Sequence, residues 1–222
     1  MVFPFIIAGF SAIISTVATI GAAVSTFCTT TLPALMPYIE KGLEIMQHIA
    51  KVAECVATVL DIFNPSDNIE DMGDRALQAA EQGIKPDQFD EFSNYLIALR
   101  GLDDFNPNKN SDKTMEKIVA GLAITGTGID QKFDWAEGTA AQYWPLVGAS
   151  TEYFTADKFL QVIAAGTSIS AVVNYFTGKL GGAEALDVED VLVEMETKTQ
   201  PNLDTNTIRA EIYAQQDKVQ LS

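Results

Sequence analysis

Bulky apolar residues recur at alternating intervals of four and three along the first 28 residues of the chain. This heptad spacing places them on one side of an α-helix, so we expect a helix over about residues 3–28 with one continuous apolar seam. No charged side chain occurs before residue 40. The seam consists of Ile6, Phe10, Ile13, Val17, Ile20, Val24 and Phe27.

The opposite side of this predicted helix carries small residues at the small-xxx-small spacing that lets two helix backbones approach closely in lipid. From residue 5 to residue 27 the helix would be about 35 Å long, enough to cross a hydrocarbon core of about 30 Å. We therefore expect it to enter a membrane or to assemble with other helices. The predicted small-face contacts are Ala8, Ala12, Ser15, Ala18 and Ala22, and a mildly polar pore lining would come from Ser11, Ser15, Thr16, Thr19, Ser25 and Thr26.

A second heptad seam predicts a partner helix over about residues 34–63, with its charged residues on a separate stripe. Pro33 suits the first turn of that helix. Because the connection is short, the two helices are expected to form an antiparallel hairpin. One partner could then face lipid or a core while the other faces water or a lumen.

The whole chain is predicted to be all-α, in three segments. Residues 1–63 form the hydrophobic hairpin for membrane insertion or oligomerisation. Residues 64–182 form a helical domain, with an aromatic-rich connector (133–154) and a second apolar helix (159–178) that suits either a membrane or a buried core. Residues 183–222 form an acidic C-terminal tail.

One further helix is predicted to begin at Asp112 and to end at the glycine-containing run 125–128, since glycine weakens helices and often follows their last turn.

The formal net charge of −16 argues against nucleic-acid binding through a basic surface, because such surfaces need clustered Lys and Arg. It argues equally against spontaneous adsorption to anionic lipid. The N-terminal apolar run lacks a basic n-region and exceeds a usual signal sequence, so no cleavable signal peptide is predicted. The expected location is a virion or the secreted fraction, with a membrane-inserted state.

Residues suited to catalysis are sparse, so we predict no enzyme, cofactor or metal site. His48 is the single histidine, and Cys28 and Cys55 are too few for a metal-binding or disulfide framework. Glu137, beside Trp135, is the carboxylate that an apolar setting would suit as the general acid of a glycan-cleaving enzyme, but no motif accompanies it.

Two functions fit these patterns. The first is a membrane-active, channel-forming protein, such as a phage-ejected protein or a secreted pore-forming toxin, with a lipid bilayer and other copies of itself as partners. The alternative is a structural subunit of a viral or other large assembly whose apolar helices form inter-subunit cores without entering a membrane.

Overall fold

The structure, a computed structural model, describes residues 3–221 and the side chains of residues 9–221. Over this range the chain forms helices and turns with no strand, which confirms the all-α prediction. The helices are α1 (Phe3–Ala18), α2 (Leu32–Lys41), α3 (Leu43–Val59), α4 (Ile69–Glu81), α5 (Phe92–Arg100), α6 (Thr114–Phe133), α7 (Trp144–Ala149), α8 (Ala156–Ala164), α9 (Ile169–Phe176), α10 (Gly182–Thr199) and α11 (Thr205–Leu221).

Two compact units divide the chain, one up to Gly148 and one from Ala149 onward. The first unit contains α1 to α6 and most of α7, and the second contains α8 to α11. The segments predicted from composition end at residues 63 and 182, where apolar and charged content changes. As functional segments they stay a prediction.

Helix α6 lies at the centre of the first unit. Every residue from Lys117 to Asp130 is buried, so this stretch has no side that faces solvent. Helices α1, α3, α4 and α5 all pack against it. A helix enclosed in this way needs apolar or small residues all round, and its polar groups need partners inside the fold.

Two glycines let α4 and α6 cross with their backbones in contact. A Cβ atom on Gly73 would collide with the Lys117 carbonyl group, and one on Gly121 would collide with the Ile69 carbonyl group. Because both obstacles are backbone atoms, they cannot move aside without displacing a helix. The two glycines therefore set the distance between α4 and α6.

Helix α6 continues past the run 125–128, where the sequence predicts its end. Gly126 lies against Ala141, and Gly128 lies against the Phe92 ring; a Cβ atom at either position would be 3.0 Å or less from its neighbour. These glycines occupy crowded positions inside a helix and do not terminate it. Packing on all sides compensates for their low helix propensity.

The N-terminal helix is interrupted after α1. Gly21 follows with a φ of 126°, which glycine adopts far more readily than other residues. The chain then forms a short 3-10 segment (Ala22–Val24) and a π-helical segment (Phe27–Thr31) before α2 begins.

A second glycine with positive φ, Gly42 at 112°, separates α2 from α3. The region of the predicted hairpin, 3–28 and 34–63, thus contains shorter helices than the heptad pattern indicates, and the hairpin arrangement stays a prediction. Periodicity alone does not show these breaks, because the apolar side stays the same across them.

In the second unit, α8 and α9 occupy the region of the predicted apolar helix 159–178. Gly166, with a φ of 70°, and Ser168, the extended residue before α9, separate the two helices. The described part of the acidic segment 183–222, up to Leu221, forms most of α10 and all of α11, which are joined by a short turn.

Two acidic residues of α10 are buried in the second unit. Glu196 forms an ion pair with Lys158 of α8. Glu189 pairs with Arg209 of α11 at 3.0 Å and accepts a hydrogen bond from the Tyr213 hydroxyl at 2.9 Å. Each buried carboxylate therefore has a cation supplied by another helix, which a buried charge requires.

Candidate functional site

The candidate site is the N-terminal segment, residues 9–31, because it carries the predicted seam and the predicted small face. Its helical parts follow from the heptad pattern, and its breaks follow from Gly21 and the short helical segments after it. One side of the segment is buried and the other is exposed to solvent.

The seam side faces inward. Phe10 is half-buried, and the side chain of Ile6 lies outside the described residues. The remaining seam positions are buried in the first unit, where α1 and the 3-10 segment pack against α6. These buried positions are Ile13, Val17, Ile20, Val24 and Phe27.

The small side faces solvent. All the predicted small-face residues whose side chains are described are exposed, while the side chain of Ala8 lies outside that range. We call this surface the uncharged face. It consists of Gly9, Ser11, Ala12, Ser15, Ala18, Thr19, Ala22 and Ser25. Of the other predicted pore-lining residues, Thr16 and Thr26 are half-buried.

Polar contacts fix the second half of the segment to the core. The Thr127 hydroxyl of α6 donates to the Ala23 carbonyl oxygen at 3.0 Å. The Thr26 backbone N–H donates to the Glu137 carboxylate at 2.9 Å, and the Ser25 hydroxyl donates to the same oxygen at 3.3 Å. The segment is therefore held by hydrogen bonds as well as by the buried seam.

The loop that carries Glu137 is itself held by a buried carboxylate. Asp130, near the end of α6, accepts hydrogen bonds from the backbone N–H groups of Gly138 at 2.7 Å and Ala140 at 2.8 Å. Burial raises the pKa of Asp130 to about 6, although these backbone hydrogen bonds favour the charged form. Asp130 thus links the central helix to the loop that contacts the N-terminal segment.

Glu137 has a structural role in these contacts. It is exposed, and it accepts hydrogen bonds from Ser25 and Thr26. Gly138 beside it has a φ of 82°, and a Cβ atom there would lie 2.6 Å from the Thr26 side chain. Nothing in this arrangement resembles the apolar pocket that a general acid with a raised pKa requires.

The other residues considered for chemistry lie apart. His48 is exposed on α3, Cys28 is buried and Cys55 is exposed, with both cysteines free. Among the described residues no group of three or more His, Cys, Asp or Glu side chains is placed to hold a metal ion.

In the part of the chain that the structure describes, no helix is both long enough and apolar enough to span a bilayer.

Sequence reasoning missed Thr127 and Asp130, which tie the N-terminal segment and its neighbouring loop to α6. Both lie in a stretch expected to end a helix or follow one. A polar residue among buried apolar positions is the one signal that could have indicated them, since such groups need partners. Those partners, Ala23 and Gly138, could not be read from the sequence.

The fold and this segment define an all-α protein whose first unit is built around an enclosed helix and carries an uncharged outer face on its N-terminal segment. No family model matches the chain, and comparisons with curated proteins and with solved structures also give no match. What the protein does is therefore inferred from its own residues.

Proposed function

We propose that this chain is a non-enzymatic, membrane-active protein that self-associates through its N-terminal segment and forms or supports a channel. Phage-ejected proteins and secreted pore-forming effectors act in this way, which agrees with a virion or secreted location. The observation that carries the proposal is the uncharged face, which is exposed to solvent on a chain with a net charge of −16.

The uncharged face suits close contact between helices. Ala12, Ser15 and Ala18 are small, so a second helix could approach with its backbone near that of α1. Like-charged copies of an acidic protein repel one another elsewhere on their surfaces. A region without charge is where such copies can meet at the least electrostatic cost.

The buried seam supports a storage role for the compact structure. Val17, Ile20 and Val24 are fully enclosed by protein, so the bulky side of the segment is kept from water. In a bilayer the same side chains would exchange protein contacts for lipid contacts, which are similarly apolar. The small side would then be free to contact neighbouring helices around a channel.

The structural-subunit function is supported by the same burial. Because the chain's own core covers the seam, the exposed part of the segment needs only another protein surface as a partner. In that case the compact structure is the working form, and the uncharged face is an inter-subunit contact within a virion or other assembly.

Variants of the uncharged face test self-association. We expect Ala12→Leu and Ala18→Leu to weaken the oligomer by at least about tenfold in dissociation constant, because a large side chain separates the helices. Sedimentation velocity over a concentration series measures this change. The matched control is Ala210→Leu, which enlarges an exposed alanine on α11 and should leave association unchanged.

Dye release from liposomes without detergent separates the two functions. For a channel-forming protein, Ile20→Ala should speed dye release, because it weakens the packing of the seam against the core of the first unit. Ala18→Leu should slow dye release, because it keeps neighbouring helices apart. A structural subunit should form the same oligomer and leave the liposomes intact with every variant. A wild-type chain that stays monomeric and releases no dye would contradict both functions.

A further inference from the structure

The first unit contains a cleft of about 530 Å³, remote in sequence from the N-terminal segment. Three parts of the chain line it: the turn after α3, α5 with the two residues before it, and the last turns of α6. Its volume lies within the range of about 300–1,000 Å³ that is usual for ligand pockets. We call it the α5 cleft.

The α5 cleft is preformed by backbone features. At the end of α3, Asp61 adopts a φ of 52°, and the Ile62 N–H returns to the Ala57 carbonyl oxygen at 2.8 Å, as in a Schellman motif. The Phe92 N–H at the start of α5 donates to the Gln131 side chain of α6 at 3.2 Å. These contacts fix the walls relative to one another.

Gly128 determines how closely the apolar side chains of the cleft pack on α6. A Cβ atom at this position would lie 2.9 Å from the Ile62 side chain and 3.0 Å from the Phe92 ring. The glycine therefore lets these two apolar groups pack directly on α6. Their outer surfaces, with Leu96, provide an apolar lining.

An exposed apolar side chain stands at this cleft. Ile97 is 62% exposed and lines it, and Val59, 57% exposed, lies two residues before the Asp61 wall. They are the two most exposed large apolar side chains described in the first unit. Exposed apolar groups beside a concave surface are characteristic of a contact with another molecule.

The charges around the cleft are not balanced. Arg100 is already paired with Asp67, at 2.7 and 3.0 Å. In the described part of the chain, the carboxylates of Asp61 and Asp90 have no hydrogen-bond or ion-pair partner, and the Glu91 carboxylate accepts a hydrogen bond from the Ser93 hydroxyl alone. Among the described lining residues, three carboxylates therefore lack a cation partner, while Lys132 is the only base outside an ion pair.

We infer that the α5 cleft docks a short basic, amphipathic peptide segment of a partner protein. Its aliphatic side chains contact Ile97 and Leu96, and its Arg or Lys side chains pair with Asp61, Asp90 and Glu91. Such pairing adds charge-assisted hydrogen bonds to apolar burial. This inference does not depend on the channel or the assembly function. Both of those functions use the N-terminal segment, residues 9–31, which does not line the cleft.

A fluorescent peptide with the sequence acetyl-Leu-Arg-Leu-Leu-Arg-amide is the probe, with a version carrying Glu in place of Arg as its control. Fluorescence anisotropy should show saturable binding of the basic peptide to the full chain, weakening as salt rises. The acidic peptide should not bind. In ¹H–¹⁵N spectra, the signals of Ser93, Ile97 and Lys132 should shift with the basic peptide.

Two triple variants separate docking in the cleft from general attraction to an acidic protein. Asp61→Asn, Asp90→Asn and Glu91→Gln together should weaken binding by at least about tenfold. Asp103→Asn, Asp104→Asn and Asp112→Asn remove the same charge from exposed positions in the loop before α6 and should leave binding nearly unchanged.

Ile97→Ala should weaken binding with no change of charge. Equal weakening by both triple variants, binding of the acidic peptide, or no binding at all would overturn the inference. None of these readouts measures self-association of the chain or dye release from liposomes. Their outcome is therefore independent of the test of the proposed function.

Discussion

At the scale of single residues, glycines and buried polar groups decide the geometry of this protein. Gly73 and Gly121 allow contact between helix backbones, and Gly128 leaves space for apolar neighbours. Asp130 binds backbone N–H groups of the loop after α6, and Thr127 binds a backbone carbonyl of the N-terminal 3-10 segment. These residues do not enlarge the apolar core, but they determine which parts of it touch.

The glycine crossing can be tested by adding one methyl group. Gly121→Ala should lower the free energy of unfolding by at least about 2–3 kcal/mol, because the new Cβ atom meets the Ile69 backbone. Urea denaturation measures this change. In the control, Gly101→Ala, the new Cβ atom lies 3.5 Å from its nearest neighbour, so stability should change little. Since alanine has the higher helix propensity, propensity cannot account for a loss in Gly121→Ala, and an unchanged or increased stability of this variant would contradict the prediction.

The raised pKa of Asp130 predicts a pH dependence with a defined sign. Because the folded pKa, about 6, exceeds the ordinary value of 3.8, the folded state binds the proton more tightly than the unfolded chain. The contribution of Asp130 to stability is therefore greatest below about pH 4 and falls as pH rises to 6. Asp130→Asn removes this change, so the stability of the variant relative to wild type should increase between pH 4 and pH 7.

Urea denaturation at several pH values measures that difference, and Asp112→Asn controls for the loss of one exposed carboxylate. An NMR titration of the Asp130 side-chain carbon gives the pKa directly. A midpoint near 4, or a stability difference that does not vary with pH, would contradict the prediction.

At the scale of elements, the N-terminal segment keeps one inward side although its helix is broken. The seam stays buried from Ile13 to Phe27, across the break at Gly21 and the 3-10 segment. Alternating spacings of four and three therefore identify residues that share one side of the segment, while they do not describe the continuity of the helix. The seam is a core element of the first unit, and the small side is its surface.

Because the seam is buried and other apolar side chains are exposed, the same Ile→Ala substitution should change the free energy of unfolding by different amounts at the two kinds of position. Ile20→Ala should lower the free energy of unfolding by about 2–5 kcal/mol, because it leaves a cavity at a fully buried position. Ile97→Ala makes the same change at a side chain that is 62% exposed and should have little effect. Thermal and urea unfolding of the two variants provide the comparison, and equal stability would mean that the seam is not part of the core in solution.

At the scale of the whole molecule, the chain separates into two compact units with different cores. The first is organised around the enclosed helix α6. In the second, α10 contributes buried acidic residues whose partners come from α8 and α11. Although burial opposes ionisation, the hydrogen bond and charge of Lys158 lower the pKa of Glu196 overall.

The buried ion pair between Lys158 and Glu196 provides a test of whether the two units are stabilised separately. Lys158→Met should destabilise the second unit by about 3–5 kcal/mol, because Glu196 would remain buried without its cation. Lys198→Met removes a lysine from an exposed pair with Glu194 and should change stability little. Hydrogen exchange should show the loss of protection in residues 149–222 only. Equal loss throughout the chain would show that the two units unfold together.

Composition and spacing alone determined the all-α class, the grouping of the seam residues on one side of the N-terminal segment and the absence of charge along it. These follow from local properties, since helix periodicity places residues three and four apart on one side. The same reasoning predicted one long helix where Gly21 interrupts it, and an end to α6 where Gly126 and Gly128 are packed inside it. In both cases glycine permits either outcome, and neighbouring elements select one.

Only the tertiary structure decided what the seam and the polar residues contact. The local sequence around Ile20 gives the same pattern whether its side chain contacts lipid, another chain or α6. The hydrophobic effect is non-directional and does not select a partner. The partners of Asp130, Glu196 and Glu137 lie in other elements, so their roles depend on the packing of the fold. The α5 cleft likewise exists only because the turn after α3 and the start of α5 meet α6 at Gly128.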